Sequence, residues 1–169
     1  MPAKKLLRLV GGVMTEVFGI QSSAGAANAG DIPALDESGR IDASMMPVGI
    51  GADVANIPAS EGLAAGDFVN VWNDSGAAKV RKADATVAGK DAHGFVLAAV
   101  ASGANATVYF EGTNTQVTGQ VAGNVFLQTT AGKGGATVPS AAGNVAQQVG
   151  IATSATSVNF ERGVAVTLA

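Results

Sequence analysis

The chain has 169 residues, a net charge of −3, one histidine and no cysteine. The lack of cysteine excludes disulfides, thiolate zinc sites, iron–sulfur clusters and a cysteine nucleophile, and one histidine cannot build a histidine-rich metal cage. Charged residues make up only 14% of the chain, against roughly 25% in an average soluble domain. We therefore expect an unusually apolar surface, or one that another molecule covers. The mild acidity does not favour a nucleic-acid partner.

The N-terminal segment resembles the start of a signal peptide, because lysines precede the apolar residues of Leu6–Val10. Arg8 and Glu16 interrupt the apolar region, and the pair Gly11-Gly12 breaks it. No stretch of the sequence approaches the roughly 18 apolar residues that a membrane helix needs. We therefore expect synthesis in the cytoplasm without export, and no membrane partner.

The first twenty residues carry a local charge of +2 and alternate between apolar and polar types. The pair Gly11-Gly12 lies between two such runs, and two glycines are a signal for a two-residue hairpin loop. We predict strands at Lys4–Val10 and Val13–Gln21. An amphipathic helix is the alternative, which the central glycines disfavour. The alternation places two groups on opposite faces: Leu7, Leu9, Phe18 and Ile20 on one, Arg8 and Thr15 on the other.

Residues 21–60 carry a local charge of −4 and have the composition of an extended arm. Asp36–Gly39 is typical of a turn, and Asp42–Ser44 can begin one helical turn that Pro47 would end. The apolar residues of this arm have no core of their own, so we expect another surface to bury them. They are Leu35, Ile41, Met45 and Met46.

Residues 61–169 carry a local charge of −1 and show short apolar runs between glycine-rich turns, with no convincing helix. The predicted strands are 67–73, 77–83, 94–101, 106–111, 124–130, 145–153, 157–161 and 164–168. The unbroken run Gly94–Ala101 is typical of a strand buried on both faces. The spacing predicts a mainly β fold, with a small β-barrel or sandwich at 61–169 and an arm at 1–60 that includes the hairpin.

The search for catalytic groups finds no clustered polar site, so we do not expect an enzyme. His93 follows Asp91 by two residues, and such a pair can orient a base for a serine nucleophile. No Gly-x-Ser-x-Gly elbow is present, so a structural or surface histidine is the simpler interpretation. The loop Gly132–Gly135 lacks the spacing of a phosphate loop and predicts a hairpin turn. The sequence alone does not exclude a pair of catalytic carboxylates, because the distance between two such groups depends on the fold.

We expect neither a metal nor a cofactor. The closely spaced carboxylates of Asp36, Glu37 and Asp42 lack the pattern of a calcium loop. Lys79, Arg81 and Lys82 form a basic cluster. Because side chains alternate along a strand, Lys79 and Arg81 lie on the same face. The cluster lacks aromatic neighbours that would stack on bases, so we interpret it as a solvated face or a contact for an acidic protein patch.

Three stretches of the sequence resemble segments of known proteins. Leu35–Pro47, which runs Leu-Asp-Glu-Ser-Gly-Arg-Ile-Asp-Ala-Ser-Met-Met-Pro, resembles a segment of capsid decoration and fibre proteins. Ala65–Val71, followed by Lys79–Thr86 and His93–Val96, resembles a pattern of capsid cement proteins. Gln147–Ala152 is similar to a strand near the C-terminus of those proteins. The three stretches occur in the family's order and span most of residues 35–152.

The resemblance to the capsid decoration, or cement, family implies a non-enzymatic virion protein on the exterior of the phage head. It implies a homotrimer of β-tulip-like domains, each with an arm that reaches the major capsid protein, and it supplies no catalytic residues. A trimeric head or tail fibre protein is the alternative, although this short chain has no repeated shaft. A carbohydrate-binding module would show more aromatic side chains than Trp72 and Tyr109.

The arm supplies the capsid contacts that the resemblance implies. Its apolar side chains can fill shallow grooves, its arginines can pair with carboxylates, and the hairpin edge can pair with a capsid strand. Three linked arms would raise the effective concentration of each contact. The candidate contact residues are Leu7, Arg8, Leu9, Leu35, Arg40, Ile41, Met45 and Met46.

Overall fold

The computed structural model describes residues 5–46 and 53–169. The chain divides into two compact units, Met1–Gly51 and Ala52–Ala169. The second unit includes a strand at Val54–Pro58 that pairs with Asn105–Tyr109. The β unit therefore begins earlier than the boundary after residue 60 that the composition suggested. Pro47, the predicted end of a helical turn, lies outside the described residues.

The N-terminal unit opens with an antiparallel hairpin of β1 (Lys5–Val10) and β2 (Val13–Phe18). Gly11 and Gly12 connect the strands with φ angles of +59° and +87°. A tight hairpin loop needs this left-handed backbone, and glycine adopts it without a steric penalty. The hairpin predicted from the glycine pair is present, and its second strand ends at Phe18 rather than at Gln21.

The remainder of the N-terminal unit folds back on itself. Ile20 forms a parallel bridge with Pro33, and the N–H of Ala34 donates to the carbonyl of Ile20 over 2.7 Å. A Cβ added to Gly19 would lie 2.9 Å from the Cβ of Ala34, so the close approach depends on glycine. The extended arm expected after the hairpin is wrong for the described residues up to 46, which fold back at the bridge of Ile20 with Pro33 and contain a 3-10 turn at Gly25–Asn28. A second 3-10 turn, Ala43–Met45, confirms the helical turn predicted to begin at Asp42–Ser44.

The β unit is mainly β, as the strand spacing predicted. Its strands are β3 (Val54–Pro58), β4 (Phe68–Asp74), β5 (Ala77–Lys82), β6 (Gly94–Phe95), β7 (Asn105–Tyr109), β8 (Gly112–Asn114), β9 (Gly123–Leu127), β10 (Gly134–Gly135), β11 (Val145–Ala146), β12 (Gln148–Ser154), β13 (Ser157–Phe160) and β14 (Val166–Thr167). They form antiparallel sheets of order β3-β7-β6-β4-β5 and β10-β9-β12-β13-β8, with a separate β11-β14 ladder. Among the described residues no sheet closes into a barrel.

Two apolar clusters stabilise the β unit. In the first, Phe160 of the second sheet packs on Phe68 and Phe95 of the first, with ring centroids 6.1 and 5.7 Å apart. The second cluster includes Val69, the neighbour of Phe68 on β4. Because successive residues of a strand point to opposite faces, β4 is covered on both sides. Burial of these side chains is the main term that stabilises the unit.

Part of the predicted strand pattern is wrong. The run 94–101 contributes only Gly94–Phe95 to a sheet, and Ala98 and Ala99 are exposed. The chain then leaves the sheet, and Val100 forms an antiparallel bridge with Leu63. Three of the eight residues of this run are alanines, whose side chains have little apolar surface to hide, so the run does not require burial on both faces.

Candidate functional site

The hairpin separates its side chains into two sets. The pairs Leu9–Met14, Leu7–Glu16 and Lys5–Phe18 lie on one face, and Val10–Val13, Arg8–Thr15 and Leu6–Val17 lie on the other. The predicted grouping of Leu7, Leu9 and Phe18 against Arg8 and Thr15 is therefore correct. Ile20, the fourth predicted member of the first group, lies beyond the end of β2 and forms a bridge with Pro33 instead. We call the face with Leu7, Leu9, Met14 and Phe18 the outer face.

The outer face is apolar and open. Its four apolar side chains, Leu7, Leu9, Met14 and Phe18, have exposed fractions of 70, 64, 61 and 59%. A two-stranded sheet is marginally stable by itself in water, and a hairpin normally needs a further strand or layer on an apolar face. The outer face therefore has the properties of a surface that a partner covers.

Away from the glycine loop, the opposite face is less open because the chain's own backbone approaches it. Arg8 lies opposite Thr15, and its Nη1 donates to the carbonyl of Gly30 over 3.2 Å. Val17 is half-buried on the same face. The structure thus separates Arg8 from Leu7 and Leu9, which the sequence analysis had grouped as contact residues.

An ion pair borders the outer face. Lys5 Nζ lies 2.7 Å from the Glu16 carboxylate and 5.4 Å from the centre of the Phe18 ring. Both charged side chains are more than half exposed, so the pair contributes little to stability. The charges of Lys5 and Glu16 therefore neutralise each other beside the apolar side chains. Arg8, the other cation of the hairpin, has no carboxylate partner among the described residues.

Two carboxylates organise the turns that follow. Asp36 Oδ1 accepts hydrogen bonds from the N–H of Ser38 (2.8 Å), the hydroxyl of Ser38 (2.7 Å) and the N–H of Arg40 (2.9 Å). Asp42 Oδ1 similarly accepts from the N–H and hydroxyl of Ser44. The bond from the Arg40 backbone to Asp36, and the Ser44 hydroxyl at Asp42, lower the pKa of each carboxyl.

The other predicted contact residues lie around these turns. Leu35, Ile41 and Met46 are exposed, and Met45 is half-buried. Arg40 ends the turn that Asp36 begins, and its charge favours the ionised form of Asp36. Met14 and Phe18 were not among the predicted contact residues. Their positions opposite Leu9 and Lys5 could have been derived by counting outward from the glycine loop.

His93 ties two segments of the β unit together. Its Nδ1 accepts the N–H of Val71 over 3.1 Å, so Nδ1 is unprotonated and Nε2 carries the ring hydrogen. Nε2 lies 3.1 Å from Asp91 Oδ2, which Arg162 also contacts at 3.3 Å. The pairing with Asp91 that the sequence suggested is present. Both ring nitrogens are engaged, so this geometry leaves His93 no free lone pair with which to act as a base.

The basic cluster contacts an aromatic ring, contrary to the expectation from sequence. Arg81 lies over the ring of Trp72, 4.9 Å from its centre, and its Nε donates to Asn70 Oδ1 over 2.9 Å. Lys79 pairs with Asp74 at 2.5 Å. Trp72 and Lys79 are cross-strand neighbours, so Arg81 is the diagonal neighbour of the ring. These contacts engage Arg81 and Lys79 within the chain.

The described residues contain no group of three or more histidine, cysteine, aspartate or glutamate side chains that could hold a metal ion. In the same residues, no helix is long and apolar enough to span a membrane. The hairpin predicted at Gly132–Gly135 is present with other bounds: residues 128–133 connect β9 to β10, and Gly134 and Gly135 form β10 itself, which pairs antiparallel with β9. No family model, curated protein or solved structure matches the chain.

Proposed function

We propose that the chain is a capsid decoration protein, which binds the exterior of a tailed-phage head and stabilises the lattice of the major capsid protein. The observation that carries this proposal is the open outer face of the hairpin, with four apolar side chains at least 59% exposed. Such a face needs a partner. The resemblance of residues 35–152 to capsid decoration proteins supplies the class of partner.

The division of the chain supports this role. Both apolar clusters lie between Ile57 and Phe160, within the β unit. The β unit can therefore keep its fold whatever the N-terminal unit contacts. A decoration protein needs this arrangement: a stable body and a separate element that engages the shell.

Weak contacts suffice in such a system. One face of six-residue strands measures about 20 by 10 Å, or roughly 200 Å², far below the roughly 800 Å² per partner of a stable interface. A homotrimer would carry three such hairpins, and linkage raises the effective concentration of the second and third after the first has bound. We therefore include the homotrimer in the proposal.

Co-sedimentation with undecorated phage heads tests the proposal. The full chain should bind the heads. Deletion of residues 1–47 should abolish binding and leave the β unit folded, because both apolar clusters remain. Normal binding by the truncated chain would refute the role of the N-terminal unit, and no binding by the full chain would refute decoration.

A matched pair of substitutions separates the hairpin from the rest of the chain. Leu7→Lys places a charge on the outer face, whereas Val164→Lys does so on the β unit, at a side chain that is 84% exposed. We expect only the first to weaken binding to heads. Equal effects would show that general surface charge, rather than the hairpin, governs binding.

A further inference from the structure

The tip of the hairpin is apolar on every side. Leu9 and Met14 flank the glycine loop on the outer face, with exposed fractions of 64 and 61%. Val10 and Val13 flank it on the opposite face, with 49 and 66%. The loop itself consists of two glycines, and nothing lies within 4 Å of a Cβ added to either one. We call residues 9–14 the tip.

The charges of the hairpin are set back from the tip. Arg8 is the charged residue nearest the loop on β1, and Glu16 is the nearest on β2. Lys5 neutralises Glu16 at 2.7 Å. Within the described residues, the Arg8 side chain bonds only to the backbone carbonyl of Gly30. The tip itself is therefore apolar, and the unpaired positive charge of Arg8 directly precedes it on β1.

A flat partner surface does not suit this arrangement. Side chains on opposite faces of a strand point away from each other, so a hairpin that lies flat leaves either Leu9 and Met14 or Val10 and Val13 in water. A crevice covers both pairs at once. Since one hairpin layer is about 10 Å thick, the crevice would be about 10 Å wide.

On the basis of the proposed function, we infer that the tip inserts into an apolar crevice of the shell protein and that carboxylates at the mouth of this crevice pair with Arg8. The crevice walls cover Leu9 and Met14 on one side and Val10 and Val13 on the other. The positive charge of Arg8 selects the acidic mouth by charge complementarity. The two glycines allow the tip to enter without a bulky leading side chain.

Two threonine substitutions on opposite faces of the tip test insertion. Threonine is a good strand residue, and both Leu9 and Val13 are exposed in the free chain, so Leu9→Thr and Val13→Thr should leave the hairpin folded. Val164→Thr, at an exposed position of the β unit, is the matched control. The measurement is the affinity for undecorated heads, with a thermal unfolding curve for each variant.

We expect Leu9→Thr and Val13→Thr each to lower the affinity about tenfold or more, because each removes apolar contact in the crevice, and Val164→Thr to leave it unchanged. If only one of the two substitutions lowers the affinity, the hairpin lies flat on that face and insertion is refuted, while the proposed function stands. If the wild-type chain does not bind heads, the proposed function itself fails. If the variants instead reduce self-association of the free chain, the tip is buried in a second copy and insertion into the shell is refuted.

The charge at the mouth has its own test. Arg8→Gln keeps a hydrogen-bond donor for the carbonyl of Gly30 but removes the positive charge. We expect a weaker affinity for heads at low salt and a smaller loss of affinity as salt is raised than for the wild type. An unchanged salt dependence would refute the acidic mouth.

Discussion

Lys133 and Asp67 form an ion pair that joins the two five-stranded sheets, with Nζ 2.5 Å from Oδ1. Asp67 directly precedes β4 of the first sheet, and Lys133 directly precedes β10 of the second. The Asp67 side chain is 1% exposed, and its Oδ2 accepts the N–H of Ala64 over 2.9 Å. A Cβ on Gly132 would lie 2.7 Å from the Asp67 carboxyl carbon. The glycine loop and the buried carboxylate therefore pack as one unit.

Removal of the Lys133 charge should destabilise the β unit. Lys133→Met leaves the Asp67 carboxylate buried with a single backbone donor, which we expect to cost about 1–3 kcal/mol in the free energy of unfolding. Denaturant unfolding followed by circular dichroism measures it. The double variant Asp67→Asn/Lys133→Met should recover part of the loss, because no charge then remains buried. A double variant that is less stable than Lys133→Met would contradict this explanation.

His93 should stabilise the β unit through the hydrogen bond that its ring accepts from the backbone N–H of Val71 in β4. His93→Ala leaves the N–H of Val71 and the carboxylate of Asp91 without their partner, at an expected cost of about 1–3 kcal/mol. Asp91→Asn is the control, since its side-chain oxygen can still accept the Nε2 hydrogen of His93. Thermal unfolding should therefore rank His93→Ala below Asp91→Asn. The reverse order would show that the contact of Arg162 with Asp91, rather than His93, ties these segments.

Trp72 is the single tryptophan, so its fluorescence reports on the basic cluster. Arg81→Met removes the guanidinium from the ring and its bonds to Asn70 and to the Gly89 carbonyl. We expect a changed emission spectrum and a stability loss of about 1–2 kcal/mol. Lys79→Met removes a surface pair with Asp74 and should cost under about 1 kcal/mol. Identical spectra for Arg81→Met and the wild type would argue against the ring contact.

The Asp36 turn should open in acid. Its hydrogen bonds favour the ionised carboxylate and lower its pKa in the folded state, so the turn is stabilised above the ordinary aspartate pKa. That stabilisation is lost as the pH falls below about 4 and through the folded pKa. The amide resonances of Ser38 and Arg40 should report the transition. In Asp36→Asn, which accepts hydrogen bonds but does not titrate, these resonances should not follow it; a similar titration in that variant would point to Asp42 or another carboxyl.

The hairpin could be predicted because its signals are local. The glycine pair fixes the loop, and a loop of two residues fixes the register, so Leu9 must lie opposite Met14. The same counting separates Arg8 from Leu7. The fold-back of residues 19–46 could not be predicted, since it rests on a bridge between Ile20 and Pro33 and on the close approach of Ala34 to Gly19.

The errors in the β unit come from contacts that sequence distance hides. Trp72 and Arg81 are nine positions apart, yet strand pairing makes them diagonal neighbours. The strand Val54–Pro58 lies within the segment 21–60 that the composition assigned to an extended arm; its proline is the last residue of an edge strand, a position where sheets tolerate proline. The ion pair of Asp67 with Lys133 spans the two sheets, so no local pattern announces it.

The measurement that tests the central claim most directly is the copy number of this chain in purified virions, relative to the major capsid protein. Decoration of the whole lattice predicts a ratio near one to one. A handful of copies per particle would contradict lattice decoration and favour a fibre at a vertex or tail. Absence from the particles would contradict the virion role altogether.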